Sequence, residues 1–160
     1  MEIRTEIPDD FEAIRSVIAE AFGQDHEPKL VDDLRDAGDL VISLVAELDG
    51  KIFGHVALSR LQSPPEALAL APVAVSSSKQ TQGIGSALIC DALQYARELG
   101  SVIIFVLGEP SYYTRFGFSA DTAKPFPCSY AGPYFMALWL GEARLAPCQV
   151  NYASAFDELE

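Results

Sequence analysis

Residues 73–89, VAVSSSKQTQGIGSALI, join a short apolar run to a helical one through a polar loop and a Gly-x-Gly turn. The first turn of a helix has four backbone N–H groups without intrahelical partners, and the aligned peptide dipoles add partial positive charge there. Glycines at 83 and 85 allow close approach to that backbone, so the turn suits an anion, and a phosphate in particular. A Walker loop would need Gly-Lys-Ser/Thr after it, and a dinucleotide fingerprint would need a third glycine where Leu88 stands. Neither pattern is present. On physical grounds alone, an ordinary strand-to-helix turn remains the competing reading.

Upstream, residues 2–6 are a short strand and Pro8 suits a first helical position. Phe11, Ile14, Ile18, Ala21 and Phe22 recur at helical spacing and predict a helix ending near Gly23. A second helix is expected over 28–36, closed by Gly38. Residues 40–48 and 51–61 are two apolar runs separated by Asp49-Gly50, a strong hairpin signal. Residues 67–75 form the strand that enters the turn. Pro72 inside it cannot donate to a ladder, which predicts a bulge.

Downstream, Ile84, Leu88, Ala92, Tyr95, Ala96 and Leu99 mark one face of a long helix capped at Gly100. Residues 101–107 read as a buried strand, 109–116 as a short helix or turn, and 134–140 as a further strand. The tail 141–160 is mixed. With no repeat or linker, the order predicts one α/β or α+β domain over 1–160 with a mixed sheet.

The chain has 160 residues, nearly half of them apolar, and a net charge of −12. That field disfavours nucleic acid and favours cationic partners, amines among them, although acidity also simply aids solubility. The cysteines at 90, 128 and 148 are too widely spaced for a disulfide framework or zinc pattern, and His26 with its acidic neighbours lacks a metal-ligand spacing. No signal peptide or membrane span is legible, so a cytoplasmic protein free of membrane contact and metal is expected.

A second motif lies about 30 residues beyond the first: Gly108-Glu109-Pro110-Ser111-Tyr112-Tyr113-Thr114-Arg115-Phe116-Gly117-Phe118. With the Gln80-x-x-Gly83-x-Gly85 turn in the same order, residues 1–140 resemble the GNAT superfamily of N-acetyltransferases, in particular a bacterial subgroup of predicted acetyltransferases. The tail 141–160 then reads as a C-terminal extension. The resemblance implies a twisted, mostly antiparallel mixed sheet of six to seven strands flanked by about four helices. It implies acetyl-coenzyme A (acetyl-CoA) as co-substrate. Val73, Ala74 and Val75 would meet the pantetheine arm, and Gln80, Thr81, Gln82, Gly83, Ile84, Gly85 and Ser86 the pyrophosphate. It also implies an amine acceptor, on a small molecule or a peptide, and it admits a homodimer.

The same resemblance places Tyr113 near the thioester sulfur. A phenol can protonate a departing thiolate; the alternative is an aromatic packed beside Phe116 and Phe118. Backbone N–H groups near Pro72 could polarise the thioester carbonyl. Tyr112 reads as packing or acceptor-side, and Arg115 as an ion-pair partner or a phosphate ligand. The general base is open. The strand ALALAPVAV carries no acid, which leaves Glu66 before it, Glu109 after the next strand, each through a water, or His55. A lone His in an apolar strand is more often a core residue.

Asp25, His26, Glu27, Asp32, Asp33, Asp36 and Asp39 either attract a cationic acceptor or form a solvated helix face. Cys90 is expected in the core, and Cys128 in a loop near the acceptor. The missing strand acid keeps a non-catalytic acyl-CoA module as an alternative, beside an acyltransferase using another acyl group or a hydroxyl acceptor.

Overall fold

Asp49 and Gly50 both take positive φ, 52° and 77°, and close a tight turn between β2 (Leu40–Leu48) and β3 (Lys51–Arg60). This is the turn geometry whose twist matches paired strands. The computed structural model containing this hairpin describes residues 1–23 and 26–159; Asp25 lies outside them. β1 (Glu2–Thr5) adds antiparallel to β2, and β4 (Ala67–Val75) antiparallel to β3. A parallel neighbour needs a crossover connection. Here α3 (Ile84–Glu98) carries the chain from β4 to β5 (Ile103–Leu107), and β6 (Phe135–Trp139) returns antiparallel beside β5. The six strands lie in sequence order in one sheet.

Strand alternation sends side chains to two covered faces. Leu44, Val56, Leu70, Ile104 and Val106 pack with α3. On the other face Val45 and Ala74 pack under Ile14, Val17 and Ile18 of α1 (Phe11–Phe22) and Val31 of α2 (His26–Asp36). Burial on both faces explains why β4 and β5 are nearly continuous apolar runs. Ile103 and Phe105 of β5 pack instead with Phe126, Phe135 and Val150.

Two expectations are corrected. The buried face of α3 is Ile84, Leu88, Ile89, Ala92, Leu93 and Ala96, while Tyr95 and Leu99 are exposed. Tyr95 stands seven residues after buried Leu88, inside the same arc at about 100° per residue, so helical period alone does not account for its exposure; Leu99 is the capping residue past the last turn. Cys90 points away from the same face and is exposed, not core.

The tail is part of the packed structure. Asn151 forms a β-bridge with Ser63, its N–H donating to the Ser63 carbonyl at 3.0 Å and its side-chain amide to Ser63 Oγ at 2.9 Å. Ala153 and Phe156 then pack against Leu30 and Leu34 of α2. Among the described residues no helix is long and apolar enough to cross a membrane.

Candidate active site

β4 and β5 part company halfway along. Their pairing runs from Ala67↔Ile103 to Leu70↔Val106 and stops, while β4 continues to Val75. At the parting point Ala71 and Pro72 together oppose only Ala57 of β3, which is the bulge expected from Pro72. Beyond it the ladder settles which backbone groups are free. Ser76 N–H donates to the Phe53 carbonyl at 2.7 Å. Antiparallel alternation then turns Ala74 toward β3, and turns the N–H and C=O groups of Val73 and Val75 into the gap. Gln80 Nε2 donates to the Val75 carbonyl at 3.1 Å. Of the three residues expected to meet a pantetheine arm, Val73 and Val75 therefore present their backbone, and Ala74 does not.

The loop after β4 is held by α1. Glu20 accepts from the Ser77 N–H at 3.0 Å and from the hydroxyls of Ser76 and Ser77. The Ser77 hydroxyl, then its N–H, keeps the Glu20 carboxyl below its ordinary pKa. Gly83 caps α3 at φ 82°, a left-handed conformation that suits glycine. The first bond inside the helix runs from Ala87 N–H to the Gly83 carbonyl at 3.0 Å. The amides of Ile84, Gly85 and Ser86 are thus the partnerless first-turn donors.

These amides border a cavity of about 320 Å³ whose other walls include Lys79, Arg115 and Tyr112. Both charged residues lining it are cationic, in a chain of net charge −12. Arg115 stacks over the Tyr112 ring with its guanidinium carbon 4.6 Å from the centroid, and Tyr112 Oη lies 3.5 Å from Ser86 Oγ. Arg115 and Tyr112 thus both line the cavity at the N-terminus of α3. Gln82 lines a separate cavity with Met1, Leu48 and Phe53. Lys79 was legible only as a cation in the loop before a helix N-terminus.

A second cavity, of about 440 Å³, opens on the other side of the gap. Tyr113, at the end of α4 (Pro110–Tyr113), forms its inner wall with Pro72 and Val73. The Tyr113 ring meets Tyr112 and Phe118 edge-on at 5.1 and 5.9 Å. Burial, with a smaller contribution from Tyr112, pushes its phenol up to about 12. Consecutive tyrosines therefore serve two cavities, with the free edge of β4 between them. The outer wall comes from α2 (Glu27 and Leu30), from Tyr130, and from the tail (Tyr152 and Phe156).

The expected bases fall elsewhere. Glu66 is exposed at the start of β4, the end remote from Val73, and its carbonyl accepts from Val102 N–H at 2.9 Å. Glu109 is exposed ahead of α4, where its carbonyl accepts from the N–H groups of Tyr112 and Tyr113. Neither lines either cavity. His55 is fully buried, with Nε2 2.8 Å from Ser43 Oγ, whose hydroxyl donates to Glu6. That chain makes Nε2 the protonated nitrogen. Burial, then the nearby Arg35, lowers the imidazole to about 3, so His55 is a neutral core residue.

The acidic set around α2 divides. Asp32 pairs with Arg15 at 2.9 Å and Arg35 at 3.0 Å, and Asp33 with Lys29 at 2.8 Å, as a solvated helix face would. Among the described residues of the set, Glu27 alone lines the Tyr113 cavity. Cys128 is half-buried and packs against the Phe105–Phe126 cluster.

A splayed parallel pair, a cation-lined helix N-terminus and a phenol across the gap suit a ligand that carries a phosphate at one end. Residues 11–118 match the acetyltransferase (GNAT) family, and the chain belongs to it. The uncharacterized N-acetyltransferase YhbS of Escherichia coli (strain K12) is 37% identical over 136 residues, which is 82% of this chain and 81% of that protein. A crystal structure of the Escherichia coli YhbS with CoA superposes with a TM-score of 0.90 at 32% identity, covering 98% of this chain and 91% of that one. A Brucella melitensis GNAT acetyltransferase solved with acetyl-CoA gives 0.83 at 35% identity, covering 98% and 97%.

Proposed function

We propose that the protein transfers the acetyl group of acetyl-CoA directly to a primary amine, without a covalent enzyme intermediate. The observation that carries this reading is the edge of β4 that β5 leaves without a strand partner, at Val73 and Val75, lying between a cationic cavity and the cavity of Tyr113. The pyrophosphate fits the amides of Ile84, Gly85 and Ser86 together with Lys79 and Arg115. The pantetheine arm pairs with Val75, much as a missing strand would. The Val73 N–H is then placed to polarise the thioester carbonyl.

Tyr113 faces the sulfur. With its pKa near 12 it stays protonated at every physiological pH, so the proton is always in place. It is also a weaker acid than an ordinary thiol. It therefore acts by donating a hydrogen bond as the C–S bond breaks, and transfer is completed as the new amide nitrogen sheds its proton.

Isothermal titration tests the first half of this reading: absence of CoA binding at millimolar ligand would sink it. Tyr113→Phe tests the second half. Turnover should fall about 100-fold or more, the usual share of a general acid, with CoA affinity unchanged within about twofold. Undiminished turnover would remove Tyr113 from the mechanism.

A further inference from the structure

The Tyr113 cavity has a wall chemistry that selects its ligand. Among the described residues that line it, Glu27 is the single charged side chain, and no cation faces in. Around Glu27 the surface is aromatic and aliphatic. Tyr130, Tyr152 and Phe156 form a chain of edge-on rings, at 4.9 Å between the first two and 5.0 Å between the last two. The Tyr152 hydroxyl is buried and has no hydrogen-bond partner among the described residues. A buried polar group left without a partner is costly, so one is expected to arrive with a ligand.

Building on the acetyl-transfer reading, we propose that the acceptor is a small monoamine carried on an aromatic or apolar body, and that Glu27 with the Tyr152 hydroxyl receives its ammonium group. Each feature of the cavity excludes an alternative class. An amino acid would bring a carboxylate with no cation to meet it, beside the Glu27 carboxylate. A polyamine or aminoglycoside would bury further ammonium groups against apolar walls with one carboxylate to serve them all, and an unpaired buried charge is strongly unfavourable. A monoamine brings Glu27 one ammonium group, donates to Tyr152 Oη, lies against aromatic faces that attract a cation, and leaves its apolar body to the remaining walls.

The same contact supplies the deprotonation step that the β4 sequence leaves unassigned. The amine binds as its ammonium ion, and the Glu27 carboxylate takes one proton. The freed nitrogen lone pair forms the C–N bond to the thioester carbon, and the C–S bond breaks as Tyr113 donates to the sulfur. The amide nitrogen returns a proton to Tyr113, and Glu27 releases its proton to water. The sum is ammonium plus acetyl-CoA going to amide, CoA thiol and one proton.

The test measures CoA release from the full chain with a matched panel: 2-phenylethylamine, phenylalanine, spermidine and kanamycin. The expected result is that 2-phenylethylamine exceeds each of the others in kcat/KM by about tenfold or more, as the loss of one charge-assisted contact would predict. Glu27→Gln should lower kcat/KM for 2-phenylethylamine about 30-fold or more and Tyr152→Phe about fivefold, each with unchanged CoA affinity by titration, while Glu27→Asp recovers part of the loss. Glu27→Gln should also move the acid limb of the kcat/KM profile, which a merely structural role would leave in place. Equal or better use of phenylalanine, spermidine or kanamycin, an unaffected Glu27→Gln variant, or no turnover of 2-phenylethylamine would each overturn the inference. Intact CoA binding in those cases leaves the acetyl-CoA reading standing, whereas lost CoA binding in the unaltered protein removes both.

Discussion

Gly108 shows how tightly one residue controls the placement of Tyr113. A Cβ at this position would stand 2.5 Å from Tyr113 Cε2 and 3.0 Å from its Cδ2. Tyr112, Phe116 and Phe118 pack around the ring, so the cavity side is the direction left for it to move. Gly108→Ala should therefore displace the Tyr113 hydroxyl by an ångström-scale shift and cost about 100-fold in turnover, the scale expected for misplaced reacting groups. CoA affinity should hold, because the phosphate cavity is walled by Tyr112 and not by Tyr113. Stopped turnover with unchanged titration is the expected signature; a parallel loss of CoA binding would mean that the whole α4 segment had moved. Arg115 makes the opposite prediction. Arg115→Ala removes a cation from the phosphate cavity and the stacking partner of Tyr112, so CoA should bind about tenfold or more weakly, with a shallower dependence on salt. Affinity that does not change would place Arg115 outside the pyrophosphate contact.

At the scale of elements, the Tyr113 cavity is a joint product of α2 and the C-terminal tail. Phe156 is 4% exposed, packed on Leu30 and Leu34, and it also lines that cavity. Phe156→Ala should destabilise the protein by about 3 kcal/mol, within the range for a large-to-small core change, and raise KM for the amine more than KM for acetyl-CoA. Equal effects on both substrates would detach the tail from the acceptor side.

This wall is also where sequence reading was weakest. The hairpin at Asp49-Gly50, the bulge at Pro72, the glycine cap of α3 and the limits of β4 all follow from local rules: turn chemistry, a missing N–H, positive φ and a run of apolar residues. The cavity at the N-terminus of α3 was legible for the same reason, because one contiguous turn supplies most of its lining. The acceptor side joins Glu27, Tyr130 and Tyr152 from segments more than 20 residues apart, and no period or motif links them. Glu27 was hidden among acidic neighbours whose charges pair on the solvated face of α2, and the tail lacked any repeating pattern that would betray its packing. Glu66 and Glu109 flank β4 and β5 in sequence, and neither lines either cavity. Flanking in sequence does not decide which end of a strand faces the chemistry.

Over the whole molecule, acidity and a buried imidazole pull stability in opposite directions as pH falls. A net charge of −12 at pH 7 means mutual repulsion in the compact state, and acidification relieves it. His55 acts the other way. Its folded-state pKa is about 3 against an ordinary value of 6.5, so between those limits the unfolded chain binds a proton that the folded chain refuses. Its contribution is complete above pH 6.5 and is lost progressively below it, at about 1.4 kcal/mol per pH unit. Asp10 adds a separate loss at lower pH: its hydrogen bonds from Arg4 hold the carboxyl below the usual value of 3.8 against the opposing effect of burial, so its stabilisation disappears only as pH falls through that depressed value. The window from pH 6.5 to about 4.5 therefore isolates His55. Urea unfolding of the wild type and of His55→Gln, which keeps an N–H for Ser43, should show the variant less stable at pH 7.5. The difference should shrink by about 1.4 kcal/mol for each unit of acidification across that window, because charge repulsion is common to both proteins and cancels. A constant difference from pH 7.5 to 4.5 would show that the folded protein accommodates a protonated His55, and the neutral Ser43–His55 contact would have to be abandoned.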